Sequence, residues 1–180
     1  MGLDYVQLSK TVSHALRHEP WLYEIELDDD GWSRVDSLLA ALRQESPAWR
    51  DLSEANLVTM IGASSKQRHE MANGRIRALY GHSVPGKLHK ALAAPPACLF
   101  HGTSPAFVPA IRRDGLLPMA RQYVHLSTDR ETARAVGRRK SPEPVILIVK
   151  SQEAWQAGLA FYEGNEKVWL ADRVPPAFIE

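Results

Sequence analysis

Tyr5, Leu8, Val12, Ala15 and Leu16 fall at the three- and four-residue intervals that line one face of a helix, so a first helix is predicted to end near His18, ahead of Pro20. Its other face carries Lys10, His14 and Arg17. The run Asp28–Asp30 followed by Gly31 reads as a turn. Ser33 and Asp36 have the spacing of a capping box opening a second helix, with Val35, Leu38, Leu39 and Leu42 inward, and Ser53 caps a third through Leu57, Met60 and Ile61. From Lys66 the pattern changes. Residues 67–71 and 75–80 flank Asn73-Gly74, the turn pair of a tight hairpin.

Three helices followed by a β-hairpin is the order of a winged helix, a module that reads nucleic acid or serves only as packing support. Ala93-Ala94-Pro95-Pro96 is the natural boundary, because two prolines continue neither a helix nor a central strand. Two domains are expected, residues 1–93 and 94–180. In the second, a strand over Cys98–His101 leads to a helix that Ser104 caps, with Pro105 at its first position and Gly115 just past its end. A strand over Tyr123–Ser127, a helix opened by Thr128 and Glu131, a buried-type strand over Val145–Lys150 and another over Lys167–Leu170 complete a mixed sheet domain. The fold class read from this pattern is α+β.

Composition narrows the picture by exclusion. At 180 residues, 44% hydrophobic and 24% charged, the chain matches the globular average and is neither disordered nor fibrous. Its longest aliphatic run, Val145–Val149, is far short of a membrane span, so a soluble protein without a membrane partner is expected. No secretory signal is evident, and Val6 stands where a myristoylation pattern needs Ser or Thr. With Cys98 the sole cysteine, a cytoplasmic protein is expected, and we expect a monomer. Net charge is only +1, yet Lys66–Lys90 holds six Lys/Arg against one acid, and Arg112–Lys140 holds eight against three. These stretches are either a localised anion site or solvated surface with helix-end cations.

Several standard sites are absent: no GxGxxG or GxxxxGK[ST] loop, no HExxH, and no second cysteine for a zinc ribbon. His14 and His18 have metal-binding spacing, but no third ligand is suggested and no metal is expected. Cys98 reads as a core residue of an apolar strand. What remains is a set of short polar clusters at element boundaries, namely Leu16-Arg17-His18, Ser65-Lys66-Gln67-Arg68, Gly81-His82-Ser83, His101-Gly102-Thr103, Arg121 and His125-Leu126-Ser127. Singly each has an ordinary structural explanation. Arg68 could simply pair with Glu70, and His125, between Val124 and Leu126, could be a core histidine.

Together and in this order they are specific. SKTVSHALRHEP (9–20), DDDGW (28–32), SKQR (65–68), IRALYGHSVPG (76–86), LFHGTS (99–104), RQYVHLS (121–127) and KVWLAD (167–172) resemble the KptA-type RNA 2'-phosphotransferases over nearly the whole chain. The resemblance implies an N-terminal winged-helix lobe that binds RNA and a C-terminal ADP-ribosyltransferase-like lobe that binds NAD. It implies a catalytic set of Arg17, His18, Arg68 and Arg121, with Arg138 an alternative to Arg121. His101, Gly102, Thr103, His125, Ser127 and Val168 are implied as NAD contacts, and Lys10, Lys66, His82 and Ser83 as contacts to RNA phosphates. His69 and Tyr80 depart from the family pattern, which usually has an aromatic residue and Gln there.

The implied reaction takes an internal 2'-phosphate from RNA, of the tRNA splice-junction type, to NAD. The phosphate attacks the ribose C1 atom and expels nicotinamide, and Val168 stands where many ADP-ribosyltransferases keep a glutamate that a phosphate nucleophile does not need. The ribose 2-hydroxyl of the RNA-2'-phospho-ADP-ribose intermediate then attacks phosphorus, freeing RNA and ADP-ribose 1'',2''-cyclic phosphate. Arginines forking onto phosphate oxygens suit that second step, and His18 either moves a proton or binds phosphate only. The alternatives are one-step ADP-ribosylation of terminal phosphates on RNA or DNA, and a nucleic-acid-binding regulator without activity.

Overall fold

The computed structural model describes residues 2–80, 91–119 and 121–180 and divides into two compact units, residues 1–87 and 88–180. In the first, helix α1 (Tyr5–Arg17) starts where the Asp4 carboxylate accepts the amide hydrogens of Val6 and Gln7, both at 3.0 Å. Leu8, Val12, Ala15 and Leu16 are its buried stripe, as their spacing predicts. Strand β1 (Ser33–Arg34) leads into α2 (Val35–Glu45), and α3 (Glu54–Ala63) follows, opened by Ser53, whose amide and hydroxyl both donate to the Asn56 side chain. Strands β2 (His69–Ala72) and β3 (Arg75–Ala78) form the hairpin. Asn73 and Gly74 both take positive φ, 52° and 71°, the requirement of a type I′ turn. The small sheet runs β1-β3-β2, all antiparallel, and Ile76 on its central strand shares one core with Leu16, Leu38, Leu42 and Leu57.

The second unit is a six-stranded antiparallel sheet with its own core. Its strands are β4 (Ala91–Leu92), β5 (Leu99–Thr103), β6 (Val124–Ser127), β7 (Val145–Val149), β8 (Phe161–Glu163) and β9 (Val168–Ala171), in the order β4-β8-β9-β6-β5-β7. Helices α4 (Val108–Asp114), α5 (Arg130–Arg138) and α6 (Ser151–Gln156) complete it. The chain is thus α+β throughout. Ala91 and Leu92 pair with Glu163 and Tyr162 and so belong to this sheet. No helix among the described residues is long and apolar enough to cross a membrane.

Three local expectations are corrected. Ser33 does not cap α2. It pairs with Ile76 in the small sheet, and Arg34 occupies the N-cap position. Asp129 rather than Thr128 caps α5, accepting from the Thr132 amide at 2.7 Å and its hydroxyl at 2.9 Å, which holds the Asp129 carboxyl below the usual range. Cys98 is exposed, because the strand starts only at Leu99. Trp32 is half-exposed, with the guanidinium carbons of Arg77 and Arg75 4.6 and 5.5 Å from its ring centre.

Candidate active site

The C-terminal turn of α1 places Arg17 inside its last turn and His18 at its C-cap, while Arg68 comes from the segment entering β2. These three, with Lys10, line a single cavity of about 570 Å³ in the first unit. Ser9, Ser13, His14, Ser64 and Ser65 line it too, and among the described residues no acidic side chain does. The carbonyl end of a helix carries partial negative charge, so the backbone here favours the cations and gives an anion nothing.

The two arginines are not neutralised. Arg68 donates from Nη1 to the Ser64 hydroxyl at 2.8 Å, and that hydroxyl donates to the Lys66 carbonyl at 2.6 Å, so the guanidinium is aimed but keeps donors to spare. Glu70 pairs with Arg77 instead, which removes the acid that could have accounted for Arg68. Arg17 reaches the Arg68 carbonyl through Nη2 at 3.5 Å and lies 4.9 Å from the centre of the Tyr80 ring, and its buried Nε has no hydrogen-bond partner among the described residues. A buried, unsatisfied guanidinium donor is costly unless a ligand takes it. His14 supports the neighbourhood of His18: its Nδ1 is 2.9 Å from the Tyr23 hydroxyl, its Nε2 is 2.9 Å from the Glu19 carboxylate, and its ring centre is 6.2 Å from that of His18. Both His14 nitrogens are thus engaged within the first unit.

His69 is a residue the sequence did not single out for chemistry. It is 2% exposed, its Nε2 is 3.1 Å from the Ser13 hydroxyl, and burial together with the charges of Arg17 and Arg68 lowers its pKa from 6.5 to about 4. The ring is therefore neutral at physiological pH and ties α1 to β2 beside both arginines. Because the unfolded chain protonates this group near 6.5 and the folded chain only near 4, the stability contribution is complete above pH 6.5 and is lost as pH falls toward 4, to a limit of about 3 kcal/mol. We expect urea midpoints to fall between pH 7 and pH 4 in the wild type and to fall distinctly less in His69→Phe; equal slopes would contradict the assignment.

Lys66 lies outside the cavity lining, and His82 and Ser83 lie outside the described residues. In the second unit the expected NAD contacts fall on three adjacent strands: His101, Gly102 and Thr103 on β5, His125 and Ser127 on β6, and Val168 on β9. Ser127 stands opposite both Phe100 and Val168. His101 Nδ1 donates to the His125 carbonyl at 3.1 Å, which leaves Nε2 as the acceptor of the neutral ring. Thr103 and Ser127 are buried, 2% and 7% exposed. Asn165, also not anticipated, accepts the amides of Lys167 and Val168 through Oδ1 at 2.8 and 2.9 Å, which fixes its amide orientation and leaves a buried Nδ2 without a partner among the described residues. Arg121 sits half-buried in the loop ahead of β6, its amide bonded to the Pro118 carbonyl at 3.1 Å, whereas Arg138 is exposed on α5. No group of three metal-ligating side chains occurs among the described residues.

Residues 4–173 match the family described as RNA 2'-phosphotransferase, Tpt1 / KptA. The chain belongs to this family. It is 54% identical over 175 residues to a probable RNA 2'-phosphotransferase of Bacillus thuringiensis subsp. konkukian, covering 97% of this chain and 94% of that protein. It is 51% identical over 177 residues to one from Acetivibrio thermocellus, covering 98% and 97%. A third, from Streptomyces griseus, is 42% identical over 183 residues and 97% of this chain. Membership in the Tpt1/KptA family supports an enzyme that removes a 2'-phosphate from RNA, and a cavity lined by Lys10, Arg17, His18 and Arg68 with no acid suits a phosphate ligand.

Proposed function

We propose that the protein transfers an internal RNA 2'-phosphate to NAD in two steps, with the first unit serving as the RNA-binding lobe and the second as the NAD-binding lobe. The observation that carries the proposal is the acid-free cavity in which Arg17, His18 and Arg68 meet. We assign the first unit to the winged-helix class on its three helices and β1-β3-β2 sheet, and the second to an ADP-ribosyltransferase-like class. The buried hydroxyl residues Thr103 and Ser127 and the spare Nδ2 of Asn165 are hydrogen-bonding groups of the kind a dinucleotide needs within an otherwise apolar sheet.

NAD supplies an electrophilic ribose C1 atom and nicotinamide as leaving group. This chain's part is to hold the 2'-phosphate as a dianion in line with that carbon, which converts an encounter into a positioned reaction. Arg17 and Arg68 bind the non-attacking oxygens. In the second step the ribose 2-hydroxyl attacks phosphorus, the RNA 2'-oxygen leaves, and the same guanidiniums take the charge gathered on phosphate oxygens. His18, at the open end of α1, is placed to carry the proton from the attacking hydroxyl to the leaving oxygen. Arg121 is the fourth member of the set, favoured over Arg138 because it is half-buried where Arg138 is solvated.

The test is a reaction of purified protein with 2'-phosphorylated RNA, with and without NAD and with chelator present. Release of nicotinamide in equal amount to ADP-ribose 1'',2''-cyclic phosphate is expected. Stable ADP-ribosylated RNA with no cyclic product would show that the chemistry stops after one step, and turnover without NAD would refute the proposal.

A further inference from the structure

The phosphate-binding residues occupy only one end of the first unit's cavity. Its lining runs up a single face of α1, in the pairs Tyr5/Val6, Ser9/Lys10, Ser13/His14 and Arg17/His18. At 1.5 Å per residue, Val6 is about 16 Å from Arg17 along the axis, farther than one phosphate reaches. The volume, about 570 Å³, is in the range that holds a nucleotide-sized ligand rather than an inorganic ion. The chemistry also changes along the face. Guanidinium and imidazole groups crowd the C-terminal end, the Ser9 hydroxyl and the Lys10 ammonium follow along the face, and Tyr5 and Val6 stand at the far end. Val6 is 68% exposed on the first turn of a helix whose other apolar side chains are buried or packed against the core.

We propose that this far end is a subsite for the nucleotide joined to the reacting one, whose unpaired base lies against Tyr5 and Val6 while its phosphodiester meets Lys10 and Ser9. The inference rests on the reading of Arg17, His18 and Arg68 as the phosphate end and adds a strand requirement to it. An apolar wall next to a cationic one, with no acid between them, matches the alternation of base face and phosphate along single-stranded RNA. A base still paired in a duplex would keep its face stacked and could not present it to Val6. The enzyme is therefore selective for 2'-phosphates whose neighbour is unstacked.

Equilibrium binding of four probes to the full chain tests this: a nucleoside 2'-phosphate, two dinucleotides carrying the same 2'-phosphate with the extra nucleotide on the 5' or the 3' side, and a dinucleotide of the better-bound polarity with an abasic neighbour. One dinucleotide is expected to bind at least tenfold more tightly than the nucleoside, the abasic version to lose most of that gain, and Val6→Asp to lower dinucleotide affinity about tenfold more than nucleoside affinity. Equal affinities for all four probes would overturn the subsite and leave the phosphate end standing. A uniform loss in Val6→Asp would likewise overturn it, and failure of the nucleoside 2'-phosphate to bind at all would remove the phosphate reading and this inference with it.

Discussion

Arg68→Ala and Arg17→Ala are expected to lower turnover of 2'-phosphorylated RNA by at least 10²–10³-fold, the loss seen when a donor to a developing oxyanion is removed. The same substitutions are expected to leave the thermal midpoint unchanged or slightly raised. The reason is electrostatic. Arg17 and Arg68 stand close to one another, form no ion pair with a carboxylate among the described residues, and flank His69, whose pKa is depressed by burial first and by their charges second. Cations held together for a ligand repel one another in its absence, so removing one relieves the folded state while it disables the site. Arg→Lys at either position keeps the charge and loses the planar fork, and is expected to recover only part of the activity. Steady-state kinetics beside melting curves read both quantities. Parallel loss of activity and stability would mean that the arginines hold the fold together and not the phosphate.

Gly102→Ala is expected to be a severely damaging single-methyl addition. A Cβ there would sit 1.8 Å from the Ala133 carbonyl oxygen and 2.8 Å from its carbon, both backbone atoms of α5. The contact is reciprocal, since a Cβ on Gly137 would meet the Gly102 backbone at 3.1 Å and Pro144 at 2.7 Å. Two glycines thus let α5 lie directly on β5, and neither backbone can yield without breaking a strand or a helix. We expect about 4 kcal/mol or more of destabilisation, the range reserved for severe steric or cavity defects. Gly62→Ala is the matched control: α3 leaves open space around that position, so a helix-favouring alanine there is expected to stabilise by roughly 0.5–1 kcal/mol. Denaturant unfolding of the two variants checks the pair, and a mild effect at Gly102 would contradict the packing. This requirement exists whether or not Gly102 also touches NAD.

The elements that were legible in the sequence are those specified by local rules. The period of Leu8, Val12, Ala15 and Leu16 fixes α1 and its buried stripe, and Asn73-Gly74 fixes a hairpin because few other pairs accept two positive φ angles. Elements specified by partners were not legible. Strand β4 is two residues long and exists only by pairing with β8, and Ser33 leaves its helix-capping role because Ile76 offers it a ladder partner. Asp129 displaced Thr128 as the α5 cap because a carboxylate accepts the Thr132 amide and hydroxyl together, a choice that spacing alone does not decide.

The site divides in the same way. Arg17, His18, Arg68 and Lys10 are singled out in the sequence through the resemblance carried by SKTVSHALRHEP and SKQR, and the fold brings all four to one cavity. Ser13, Ser64 and His69 are not singled out, since a serine on the polar face of a helix resembles any solvated residue, and only the fold brings the Ser13 hydroxyl within 3.1 Å of His69, a residue 56 positions away. Asn165 is hidden for a related reason. Its value lies in which half of the amide remains unbonded, and that depends on the turn that delivers the Lys167 and Val168 amides to Oδ1.

The most direct test follows the phosphorus atom. An RNA carrying an isotopic label in its internal 2'-phosphate is mixed with excess enzyme and NAD, quenched over time, and the label is located in RNA and small-molecule products. Passage of the label from RNA through an ADP-ribosylated RNA species into ADP-ribose cyclic phosphate, with unlabelled 2'-hydroxyl RNA left behind, is the predicted result. Label appearing as inorganic phosphate, or remaining in RNA while NAD is consumed, would contradict transfer of the 2'-phosphate to NAD.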